Sequence, residues 1–99
     1  MNIQALMKQA QSIQKDMMKA KEEIDKMIFC GESSLVKVEV NGKKQILKVN
    51  IDKEHELSSD DIDILEDMIV VAINDAMKKV DVEIEKKLGK YTSAMPGLF

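Results

Sequence analysis

Apolar residues return every seven positions at the start of the chain. Ile3, Ala10, Met17 and Ile24 form one series, and Leu6, Ile13, Ala20 and Met27 form a second. Interleaved, they make an a/d seam that predicts one helix from residue 2 to about residue 28. No Gly or Pro interrupts the run. Lys8, Ser12, Lys15, Lys19, Glu22 and Lys26 recur at spacings of three or four on the opposite face. The seam predicts packing against another helix or a sheet.

The period then drops to two. "IFCGESS" at residues 28 to 34 reads as a short strand or a transition, weakened by Gly31. "LVKVEVNGKKQILKVNI" reads as a hairpin, with Asn41-Gly42 as a two-residue type I′ turn. That turn predicts Val40 opposite Lys43, Val38 opposite Gln45 and Val36 opposite Leu47. Alternation then puts Val36, Val38 and Val40 on one face with Leu47, Val49 and Ile51, and Lys37, Glu39 and Lys48 on the other.

The helical period resumes at Ser58 or Ser59. Ser58 and Asp61 have capping-box spacing, with Asp in the Glu role. Asp60, Asp61 and Asp63 fall in the first turn, where the helix dipole favours negative charge, and Lys86, Lys87 and Lys90 lie toward the far end. Gly89 is the candidate C-cap residue, give or take a turn. The tail from residue 91 to 99, with Pro96 and Gly97, is expected to be irregular. One stripe of the helix, Ile62, Leu65, Ile69, Ala72 or Ile73, Ala76 and Val80, suits a cover for the sheet. The predicted fold is therefore α+β in a single domain over residues 1 to 99. It has a long N-terminal helix, a small three-stranded antiparallel sheet and a long C-terminal helix.

"MIVVAI" at residues 68 to 73 is too apolar for one stripe. Burying a Val, Ile or Met side chain is worth about 1.5–3 kcal/mol, a large share of the ~5–15 kcal/mol that holds a domain together. The first helix covers part of this segment. A second copy is the economical cover for the rest, so a homodimer is expected, with Met68, Val70, Val71, Ile73 and Met77 at its interface.

Composition narrows the function. The 99 residues carry one cysteine, Cys30, so no intrachain disulfide is possible and a reducing, cytoplasmic setting is expected. Cys30 itself is expected to be a buried or half-buried thiol. No apolar run is long enough for a membrane span. His55 stands alone in a polar stretch, and neither a metal site nor a cofactor-binding or catalytic constellation is recognisable, so no enzyme is expected. The net charge of −3 hides a segregation. Residues 52 to 67 hold Asp52, Glu54, Glu56, Asp60, Asp61, Asp63, Glu66 and Asp67 against Lys53, a balance of −7, while the rest of the chain sums to +4. All fifteen basic residues are lysine. Lysine acts on phosphate as a point charge, whereas arginine reads guanine bidentately. Nucleic-acid binding, if present, should follow backbone and shape.

Several segments together resemble the YbaB/EbfC family of bacterial nucleoid-associated proteins. They are "LMKQAQSIQKDM" (Leu6 to Met17), Gly31-Glu32-Ser33, "LVKVEVNG" (Leu35 to Gly42), "ILEDMIVVAINDAMKKV" (Ile64 to Val80) and Met95-Pro96-Gly97-Leu98-Phe99. They run in order over nearly the whole chain. Relatives often carry a glycine-rich stretch before the valine strand, where this chain has Ser33-Ser34. The resemblance implies a homodimer with projecting helices, likened to tweezers, that binds DNA with little sequence preference in the cytoplasm or nucleoid. It also implies an association with recombination and replication genes, and so with their proteins as partners. It places DNA contact on the helices, which points to Lys8, Lys15 and Lys19 in the first and Lys86, Lys87 and Lys90 in the second. A competing reading is a protein-interaction adaptor, docking a partner through the acidic segment at residues 52 to 67 or an apolar helix groove.

Overall fold

The computed structural model describes residues 2–54 and 56–94. Along the chain it has α1 (Ile3–Asp25), β1 (Ile28–Ser33), β2 (Val36–Asn41), β3 (Ile46–Ile51), a single 3-10 turn (Ser59–Asp61) and α2 (Ile62–Ala94). The sheet order is β1-β2-β3, antiparallel throughout. This is the predicted α+β succession.

Asn2 starts α1. Its Oδ1 accepts hydrogen bonds from the Gln4 and Ala5 amides at 3.0 and 3.3 Å, satisfying donors that a helix start leaves unpaired. The helix ends at Asp25, short of the predicted residue 28, because Ile28 already pairs with Asn41 and Phe29 is drawn into the core. The seam is real but only its later half is covered: Met17 and Ile24 are buried, while Ile3 and Leu6 are exposed.

The valine face of β2 is as predicted, with Val49 and Ile51 of β3 beside it, but Ile46 takes the place opposite Val40 and Leu47 does not join that face; the turn is not as predicted. Val36, Val38 and Val40 are completely buried. Yet Val38 faces Val49 rather than Gln45, and Val36 faces Ile51 rather than Leu47. The connection is a three-residue loop, Gly42-Lys43-Lys44, whose left-handed residue is Lys44 at φ 63°. The Asn41 carboxamide stabilises it, its Oδ1 accepting from the Lys43 and Gln45 amides at 2.9 and 3.0 Å. A bulge then pairs Val40 with Ile46, leaving Leu47 as the extra residue. The slide relative to the predicted register is an even number of residues, so Val49 and Ile51 stay on the valine face. Gly42 answers a different demand from the one predicted: a Cβ there would collide with the Ile24 carbonyl at the end of α1. In the other hairpin, Ser34 takes φ 51°, a sign that glycine adopts more readily.

α2 lies across β1 and β2. Ala72, Ala76 and Val80 are completely buried in this contact. The helix comes so close at Gly31 that a Cβ would strike the Ala72 carbonyl and the Ala76 amide. Small residues on both sides let backbone meet backbone. The capping box holds: the Asp61 carboxylate accepts from the Ser58 amide at 2.9 Å and from its hydroxyl at 3.1 Å. Gly89 is not the stop. α2 continues to Ala94, so residues 91 to 94 are helical where the sequence suggested an irregular tail, and residues 95 to 99 lie outside the described residues. Burial of Leu88 and half-burial of Tyr91 on either side of Gly89 outweigh its poor helix propensity of about 1 kcal/mol.

The molecule measures 71 × 19 × 15 Å. A helix of 33 residues spans about 50 Å. Ile24, near the end of α1, shares a crevice with Ile84 and Leu88 of α2. The remaining length requires α1 to run outward from that point, antiparallel to α2. The result is a head, made of the sheet and the first half of α2, and an arm, made of α1 and the second half of α2.

Candidate nucleic-acid interface

Lys8, Lys15, Lys19, Lys86, Lys87 and Lys90 are all exposed, and all belong to the arm. They do not form one patch. Met17 and Ile24 point α1 toward α2. At about 100° per residue, Lys8, Lys15, Lys19 and Lys26 all lie within about 30° of the opposite direction. On α2, Leu88 points toward α1, which turns Lys86 and Lys90 away and leaves Lys87 on a flank. Lys86 and Lys90 therefore lie on the face of the arm opposite the α1 lysines, with Lys87 between.

Their fields differ. The α1 face sets four lysines, counting Lys26, against Glu22. The α2 face sets Lys86 and Lys90 against Glu83. The Lys90 ammonium also sits 5.0 Å from the centre of the Tyr91 ring. An open groove follows α1 past Gln11, Gln14, Lys15, Met18, Lys19 and Glu22, mixing ammonium groups with carboxamides able to donate to phosphate. The α1 face is the stronger cationic surface.

The acids lie at the other extremity. Asp60, Asp61 and Asp63 open α2, some 40 Å along the helix axis from Leu88. The Ser58 amide and hydroxyl hold the Asp61 carboxyl below the usual aspartate pKa. The molecule is thus electrically polar along its length, with a negative head and a cationic face on the arm. Such separation lets a local field oppose the net charge.

The five residues assigned to a dimer face are split by the helix. Val70 is 56% and Val71 53% exposed, while Met68, Ile73 and Met77 are half-buried. By helical spacing Ile73 and Met77 line the β3 flank of α2 and Met68 the β1 flank, while Val70 and Val71 lie further out, Val70 toward the β3 side and Val71 toward the β1 side. Asp75 and Lys79 identify the β1 side. The Asp75 carboxylate accepts from the Glu32 amide at 3.2 Å, and the Lys79 ammonium donates to the Cys30 carbonyl at 2.6 Å. Lys79 and Asp75 also pair with each other at 3.6 Å. The outer edge of β1 is therefore occupied by α2 side chains. On the other side, Ile46, Leu47 and Val49 of β3 are exposed.

The hold of Asp75 on β1 is not among the sequence expectations; the polar pair Asn74-Asp75 that follows the apolar run is the signal the sequence offers for it. Cys30, expected to be buried or half-buried, is exposed. It alternates with Phe29 and Gly31, which take the inward positions of β1. His55 lies outside the described residues. Among the described residues no three His, Cys, Asp or Glu side chains gather as metal ligands, and no helix is long and apolar enough to cross a membrane.

Known proteins resemble this chain in sequence and in fold. The profile of the YbaB/EbfC DNA-binding family aligns with residues 1–95. A Ligilactobacillus salivarius protein, named as nucleoid-associated, is 38% identical over 99 residues, covering 99% of this chain and 95% of its own. An Enterococcus faecalis protein of the same name is 42% identical over 97 residues, covering 97% and 93%. The crystal structure of HP0035 from Helicobacter pylori superposes with a TM-score of 0.73 over 94% of this chain and 98% of that one, at 22% identity, a likeness of fold. With a matching profile over almost its entire length and relatives aligned end to end, the chain belongs to the YbaB/EbfC DNA-binding family.

Proposed function

We propose that this protein is a nucleoid-associated homodimer that binds duplex DNA through its phosphates, with little regard for sequence. The observation that carries the reading is the α1 lysine face, set at the end of the molecule away from the acids, in a chain of a DNA-binding family. Lys8, Lys15 and Lys19 make the principal phosphate contacts. Lys86 and Lys90, turned the other way, and Lys87 on the flank meet DNA only where a second arm or a bend brings it to them. The absence of arginine in the sequence removes the usual bidentate readers of guanine.

Two copies join through the β3 flank. Val70, Ile73 and Met77 of α2 and Ile46 and Val49 of β3 form a half-covered apolar surface, and among the described residues β3 has no strand on its outer side. Unpaired strand edges associate readily. The β1 edge is not equivalent, since Asp75 and Lys79 already occupy it. Of the residues first assigned to the interface, Val70, Ile73 and Met77 belong to it, whereas Met68 and Val71 face elsewhere.

The test is an electrophoretic mobility shift over a salt series with unrelated duplexes. On the order of six phosphate contacts per dimer give a log–log slope of about −5. Lys8→Glu, Lys15→Glu and Lys19→Glu together abolish the shift. A flat salt dependence, or an unchanged shift with the triple variant, would overturn the reading.

A further inference from the structure

The β1 flank of α2 carries an apolar pocket of about 200 Å³. Leu35 from the β1–β2 turn, Leu57 from the segment before α2, and Ile64, Leu65 and Met68 from α2 line it, together with the acids Glu56 and Asp61. Leu57 is 42% and Ile64 55% exposed, so the chain leaves the pocket's aliphatic groups open to water. We infer that this pocket docks an aliphatic side chain flanked by lysines or arginines on a partner protein.

Charge selects the occupant. The segment that supplies these acids, residues 52 to 67, has a balance of −7. That repels nucleic acid and favours a basic segment, and apolar walls with charged rims are the usual anatomy of a protein contact. A second copy presenting the same surface would bring two negative heads together, against the self-complementarity of a two-fold interface. A lone cation fits poorly: the Asp61 carboxylate is already taken up by the Ser58 amide and hydroxyl, and no trio of ligands gathers among the described residues. The pocket also accounts for a feature the dimer leaves over. Val71 continues it along the same flank of α2, so Val70 and Val71, neighbours in sequence, serve two different partners. The α1 lysines lie toward the opposite extremity, and a bound partner leaves them free.

The test uses a short synthetic peptide with a leucine pair flanked by lysines, and the same peptide with serines in place of the leucines. In a nuclear magnetic resonance titration of the full chain, the leucine peptide shifts the signals of Leu35, Leu57, Ile64, Leu65 and Met68. The serine peptide binds about tenfold more weakly, as does the leucine peptide to Ile64→Ser or to the Asp60→Asn/Asp63→Asn variant. DNA mobility shifts are unchanged in both variants, whose folding is checked by circular dichroism. A failure of DNA binding with peptide binding intact removes the DNA reading and leaves this one standing. The inference is overturned if the leucine peptide does not bind. It is also overturned if the serine peptide binds equally well, or if Ile64→Ser lowers the molecule's own assembly state, which would make a second copy the occupant.

Discussion

A methyl group added at Gly31 and one added at Gly89 have opposite consequences. At Gly31 it meets the backbone of α2, which can yield only by lifting off the sheet. Gly31→Ala is expected to cost about 3 kcal/mol, the upper part of the overpacking range, read as a lower urea midpoint at unchanged slope. At Gly89 the nearest atom is a carboxylate oxygen of Glu85, 3.0 Å away on a side chain free to move. Gly89→Ala replaces a poor helix former inside α2 and should raise stability by about 0.5–1 kcal/mol in the same measurement. Asp61 gives a third test. Its folded-state pKa is depressed by the Ser58 hydrogen bonds, so its contribution is fully present above the ordinary aspartate pKa and is lost as pH falls through the folded value. Thermal unfolding of Asp61→Asn should therefore fall below the parent near neutrality and converge with it under strong acid; a gap that persists there would show that the carboxylate's charge is not the cause.

Among the elements, the two outer strands are treated differently. β1 is sealed by Asp75 and Lys79, whereas β3 is left open. Asp75→Ala should free the Glu32 amide, lower stability by about 1 kcal/mol and speed hydrogen exchange at Glu32 before the β2 amides respond. The order of elements was legible in the sequence because the apolar period changes from helical to alternating and back, and the face of β2, with Val49 and Ile51 of β3, survived a misread turn because alternation tolerates an even slide; Leu47, at the bulge, did not keep its predicted face. The register itself was not legible. Asn41-Gly42 suits two loop geometries, and the one adopted is the longer, in which the Asn41 carboxamide reaches the Lys43 and Gln45 amides. The helix end was hidden too, since Gly89 marks a stop only until Leu88 finds α1. The lysines of the candidate site were visible one by one. Their division between two faces of the arm depends on which side of each helix is buried, and that becomes known only when the helices are packed.

At the scale of the whole molecule, the division of the lysines bears on the dimer. One protomer presents a single α1 face, and a rigid duplex lying on it cannot reach Lys86 and Lys90 on the reverse of the same arm. Two protomers joined along their β3 flanks double the number of α1 faces available to one duplex, and the number of phosphates neutralised sets the slope of affinity against salt. Val49→Lys with Val70→Lys places two ammonium groups in the proposed junction, on side chains that are 44% and 56% exposed within one chain, so the fold should persist. Sedimentation should then find a particle near the 11.2 kDa chain mass, and the salt slope should fall from about −5 to about −3 as contacts halve. Val71→Lys is the control, because it lies on the other flank of α2 and should leave both mass and slope alone. A double variant that is monomeric yet keeps the parent slope would mean that each arm grips DNA by itself, and the pairing of protomers would then need a different purpose.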